Sequence, residues 1–91
     1  MLRWLSWYLR LGDPYAADKR AAQLTEDRAL SLAKEASTGV SDAISLHFAA
    51  IEYEGDERLW VFATSSIGSH WLVKIRDRDG RVVHRGRRGV R

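Results

Sequence analysis

Apolar positions along this chain change period midway. From Met1 to Leu11 they recur at helical spacing: Trp4, Trp7, Tyr8 and Leu11 form an i, i+3, i+4, i+7 set, widened by Leu2, Leu5 and Leu9. Arg3, Ser6 and Arg10 make a narrow polar stripe. Gly12-Asp13-Pro14 is a joint, since Gly12 can close one helix while Asp13 and Pro14 suit the start of another. The pattern predicts an alanine-rich helix from Pro14 to about Gln23, with Asp18, Lys19 and Arg20 exposed. Thr25 is placed to cap a third helix, with Glu26 and Asp27 near its positive end. Ala29, Leu32, Ala33 and Ala36, with Leu30 alongside, form its apolar face, and Gly39 ends it.

Beyond Gly39 the period shortens towards two. Residues 42–54 carry both signals: Ile44, His47, Phe48 and Ile51 fit a helical face, while Leu46, Phe48 and Ala50 alternate as in a strand. Glu54-Gly55-Asp56-Glu57 reads as a hairpin loop into Arg58–Ser65, which favours a strand over 45–54. In the next strand Leu59, Val61 and Ala63 oppose Trp60, Phe62 and Thr64, so both faces are apolar and the strand is interior. Further on, Trp71, Val73 and Ile75 share a face against His70, Lys74 and Arg76, with Leu72 an exception on the polar side. Asp77-Arg78-Asp79-Gly80-Arg81 is the turn of a last hairpin, because Gly80 takes positive φ without steric penalty. Of two registers, a Gly80 bulge setting Asp77 opposite Arg81 and Ile75 opposite Val83 avoids the Arg78–Arg81 pair of the two-residue alternative, which sets Ile75 opposite His84.

These elements predict an α+β fold in which N-terminal helices pack on one face of an antiparallel sheet of about four strands. The 91 residues suit a single domain (1–91), made of an N-terminal helical segment (1–23), a helix plus sheet (24–85) and a basic tail (86–91). No cysteine is present, which excludes a disulfide framework and fits a reducing, cytoplasmic setting. The apolar opening is too short to span a bilayer, and Arg3 and Arg10 within it argue against a signal peptide. The net charge of +3 conceals an asymmetry: residues 1–73 carry seven Lys/Arg against ten Asp/Glu, residues 74–91 eight against two.

The Thr-capped helix LTEDRALSLAKEA, the strand ending LWVFAT, Gly68 and the segment WLVKIRDRDGRVV resemble two families. One is the PepSY-type domain, a helix on a sheet ending in a D-x-x-G hairpin. The other comprises small bacterial immunity proteins of cystatin-like or nuclear-transport-factor-like shape, whose typical ending is similar to Trp60-Val61, Gly68 and Asp79-Gly80. The resemblance covers roughly residues 24–84 and leaves the tryptophan-rich opening aside. It implies a small α+β binding domain and supplies no catalytic residue.

The residues themselves display no catalytic or metal-binding constellation. His47, His70 and His84 are scattered without a cysteine or carboxylate at ligand spacing, and read as polar sheet positions. Thr64-Ser65-Ser66 and Ser69-His70 read as a hydroxyl-rich loop, because a nucleophile–base pair is defined in space and adjacent strand residues face apart. Glu52, Glu54, Asp56 and Glu57 lack calcium-loop spacing and read as a solvated hairpin tip. No metal or cofactor is therefore expected.

What remains are surfaces. Trp4, Trp7, Tyr8 and Leu11, with Trp60 and Phe62, are the candidate interaction surface. Seven of the ten residues from Leu2 to Leu11 are apolar, more than one flank of so short a chain hides, so a homodimer or protein partner is expected to cover them. Lys74, Arg76, Arg85, Arg87 and Arg88 are candidate anion contacts. The expected function is non-catalytic protein binding, of an immunity or inhibitor kind. The alternatives are a nucleic-acid or anionic-surface binder using the basic hairpin and tail, or a small apolar ligand held under a curved sheet.

Overall fold

The computed structural model describes residues 14–65 and 69–89. The expected opening helix, with Trp4, Trp7, Tyr8 and Leu11, lies outside those residues, as does Gly68. The described chain runs α1 (Ala16–Ala21), α2 (Glu26–Glu35), a 3-10 turn (Ala43–Ser45), then β1 (His47–Glu54), β2 (Glu57–Ala63), β3 (Ser69–Arg76) and β4 (Val82–Gly89). The strands form an antiparallel meander in the order β1-β2-β3-β4. Both helices sit on the same face of the sheet, as the expected α+β fold requires.

Thr25 caps α2 as expected, its Oγ1 accepting from the Arg28 amide at 3.1 Å. Ala29 and Ala33 are completely buried, and their missing bulk lets the helix lie close to Trp60, Phe62, Val73 and Ile75. The helix stops at Glu35, before the expected Gly39. The Ser37 hydroxyl donates to the Ala33 carbonyl at 2.8 Å, and the Ser37 amide shifts to Lys34 O, tightening the last turn. At the edge of the core Phe48 stands edge-on to Tyr15, Trp60 and Phe62, with centroids 5.6, 5.9 and 6.1 Å away.

Four expectations are corrected. The first helix is shorter than Pro14–Gln23: Ala22 is already extended, because the next two amides leave the helix for a carboxylate on the sheet. The first strand begins at His47 rather than residue 45, since Ser45 and Leu46 donate to Asp42 and Ala43 within the 3-10 turn. In the last hairpin neither expected register forms. Arg76 donates to Arg81 O and Gly80 to Arg76 O, both at 2.8 Å, so Ile75 faces Val82 and an irregularity leaves Val83 out of the pairing. The reason is the Asp77 backbone, whose amide donates to Arg58 O of β2 at 2.9 Å and so leaves Arg76, not Asp77, to pair with Arg81. Gly80 does have positive φ, +72°.

The fourth correction concerns the tail. Residues 86–89 continue β4, pairing with Leu72, Trp71, His70 and Ser69. Arg87 holds Asp42 through two bonds, at 2.8 and 3.2 Å, and Arg85 donates to the Ala36 carbonyl at the end of α2. The basic side chains thus act as braces, Arg85 from β4 to the end of α2, where positive charge also complements the helix terminus, and Arg87 from β4 to the start of the 3-10 turn.

Candidate functional site

Two places concentrate polar chemistry, the Asp77 anchor and the outer strand β4. Alternation along β3 puts Trp71, Val73 and Ile75 inward, and one further step puts Asp77 on the same side. Asp77 is 3% exposed, and its carboxylate faces four donors. Oδ1 accepts from the Leu24 amide at 2.9 Å and the Trp60 indole at 3.0 Å; Oδ2 accepts from the Gln23 amide at 2.7 Å and Arg58 Nη1 at 3.4 Å. Burial pushes this carboxyl up, but the Gln23 and Leu24 amides, the Trp60 indole and the Arg58 guanidinium together hold it below the usual value.

Arg58 is fixed in turn. It donates to the Tyr53 hydroxyl at 3.2 Å and to Ala21 O at 3.2 Å, and Tyr53 donates to Asp18 at 2.6 Å. The Tyr53 hydroxyl, opposed by burial and helped by Asp77, raises the Arg58 pKa. A cavity of about 200 Å³ opens beside this network, bordered by Gln23, Tyr53, Glu57, Arg58 and Arg78. With every lone-pair direction of Asp77 occupied, the carboxylate is suited to hold the α1–α2 linker on the sheet rather than to take a proton. The charged lining gives no support to an apolar ligand there.

The candidate surface residues separate. Trp60 and Phe62 are fully buried, their rings stacked 6.3 Å apart, so they belong to the core and not to a contact surface. Both faces of β2 are apolar as expected: Leu59 and Val61, pointing away from the helices, are each 3% exposed. The Lys74–Glu52 ion pair, 2.8 Å, crosses β2 at their level.

The five anion candidates lie on both sides of the sheet. Register puts Lys74, Arg76 and Arg88 on the face away from the helices, and Arg85 and Arg87 on the helix side. Arg76 grips Asp79 through two 3.1 Å bonds, which holds the Asp79 carboxyl below its usual value and raises the Arg76 pKa. Its bond to Asp42 raises the Arg87 pKa. Three cations of the basic C-terminal segment therefore meet acids from earlier in the chain: Lys74 with Glu52, Arg78 with Glu57, Arg87 with Asp42. The charge asymmetry read along the sequence is partly cancelled in space.

His47 lies beside Ser45 and Ser65, whereas His70 and His84 belong to β3 and β4. No group of three or more metal-binding side chains occurs among the described residues. No helix among them is long and apolar enough to cross a membrane. Sequence reasoning missed Asp77 as an anchor by treating it as part of the turn, although the two-residue alternation of β3 pointed it inward. Comparison with known proteins yields no matching family model, curated protein or solved structure.

Proposed function

We propose that this chain is a non-catalytic protein-binding module whose contact strand is β4. The observation that carries this reading is the position of β4. It is an outer strand of eight residues, and Val82, Val83, His84, Arg85, Arg87 and Arg88 along it are exposed. An outer strand offers unpaired backbone groups along its length, a ready template for another chain. Pairing of Lys74, Arg76, Arg78 and Arg87 with carboxylates weakens the field that nucleic-acid binding would use, which favours the protein reading over the nucleic-acid alternative.

A photo-reactive amino acid in place of Val83 tests this in the native host. The expected product is a covalent adduct destroyed by protease, untouched by nuclease, and absent when the reactive group replaces exposed Arg20 on α1. A nuclease-sensitive adduct would transfer the function to nucleic-acid binding, and no adduct above the Arg20 control would remove β4 from the account. The homodimer expected from Trp4 and Trp7 rests on residues outside those described; an adduct of the chain with itself would favour it.

A further inference from the structure

We propose that β4 accepts an extended, acidic segment of a partner protein as an added strand of the sheet. This rests on the binding-module reading and specifies its partner. Among the described residues no strand pairs with the outer side of β4, so one set of its backbone donors and acceptors has no strand partner there. Strand addition satisfies such a set directly, with side chains in alternation supplying the selection.

The selecting charges are on both sides of the strand. Residues 82–89 contain Arg85, Arg87 and Arg88 with His84, and no acid. Arg85 and Arg87 edge the helix face, His84 and Arg88 the other. Arg88 has no partner among the described residues, and the Arg85 guanidinium uses one of its donors on Ala36 O. An incoming strand would place alternate side chains about 4.5–5.5 Å from these positions, where opposite charges stabilise and like charges repel. Gly86, between Arg85 and Arg87, leaves the opposite face open for a bulky apolar neighbour, since a Cβ there would meet only the His84 ring at 3.9 Å.

The same charges exclude the nearest competitors. Two copies of β4 side by side would set arginine against arginine. The β1 edge of a second copy is acidic, but it is irregular at Ala49 and lined by Tyr15, Asp18 and Lys19 of the α1 region. The occupant that fits is therefore a different chain, extended over several residues and rich in Asp or Glu.

The probes are fluorescein-labelled eight-residue peptides alternating glutamate with valine or lysine with valine, and a single-stranded oligonucleotide. At about 50 mM salt the glutamate peptide is expected to bind at least about tenfold more tightly than the lysine peptide. N-methylation of one alternate set of its amides should weaken binding by about tenfold or more, while the other set stays within about twofold, because a single edge of the peptide meets β4. Arg88→Glu should weaken it by about fivefold without changing the unfolding midpoint. Equal effects from both methylated sets would overturn strand addition in favour of simple charge attraction. Tighter binding of the oligonucleotide than of the glutamate peptide would overturn the acidic-partner assignment. If the peptide fails to bind while the Val83 cross-link still captures a protein, this inference falls and the binding-module reading stands; if both fail, both fall.

Discussion

β1 and β4 are outer strands of equal length, eight residues each, yet they are protected by different means. The pairing of β1 is interrupted at Ala49, and the α1 region lies against it: Tyr15 packs on Phe48, Lys19 stands 4.0 Å over the same ring, and Tyr53 bonds Asp18. On β4 the protection comes from cations, and its braces to the end of α2 and to the 3-10 turn run from one face of the strand, leaving the outer edge without a partner strand among the described residues. A covered edge refuses every partner alike. A charged edge refuses partners of its own sign and remains open to the other.

The comparison depends first on Asp77, which holds the linker between α1 and α2 and so keeps α1 beside β1. Asp77→Ala removes the acceptor for two amides, an indole and a guanidinium, and should lower stability by about 3 kcal/mol or more. Hydrogen exchange of β1 amides should accelerate with it, making the β1 edge resemble β4. Unchanged exchange in β1 would mean that α1 is held by its aromatic contacts alone. The acid limb carries the same information. The folded Asp77 carboxyl titrates below its ordinary 3.8, so its stabilisation is complete above that value and disappears as pH falls through the lower folded value. Asp77→Asn should flatten the decline of the unfolding midpoint in this acidic range.

Removal of residues 86–91 attacks the other edge. It deletes the pairs of Gly86, Arg87, Arg88 and Gly89 with β3 and releases Asp42, and should cost about 2 kcal/mol in denaturant unfolding. An unchanged midpoint would show that the end of β4 is pairing without stabilising. Gly80→Val should cost about 1–2 kcal/mol, since φ is +72° and the new Cβ would meet Leu32 Cδ1 at 3.1 Å. Its effect on exchange should concentrate in β4, not β1. The smallest effect belongs to the brace: a double-mutant cycle on Arg87 and Asp42, whose side chains are 43% and 23% exposed, should give a coupling below about 1 kcal/mol that fades with added salt. A larger coupling that resists salt would make this brace, rather than strand pairing, the main tie of β4.

Local chemistry explains what was legible in the sequence. Thr25 immediately ahead of an acidic helix start, the alanines of α2, the alternation of Trp71, Val73 and Ile75 and the glycine at position 80 each reflect a rule acting within a few residues. Those rules were sufficient for helices on one face of a four-stranded antiparallel sheet. They even held the direction of Asp77, since strand alternation continues through it. What they lacked was its partners: the Gln23 and Leu24 amides are more than fifty positions away, and their demand for an acceptor exists only once the linker lies on the sheet. The hairpin register differs from the expected one for a related reason, because the Asp77 amide is bonded to Arg58 O of β2 and Arg76 takes the pairing with Arg81. The basic tail expected over 86–91 proves to be strand through Gly89 on similar grounds, as Asp42 arrives from distant chain to bind Arg87, and Ala36 O to bind Arg85 just before it. Sequence alone determined the alternation and the turn; tertiary structure decided where the charges meet, because buried carboxylates and outer-strand arginines find their partners through space and not along the chain.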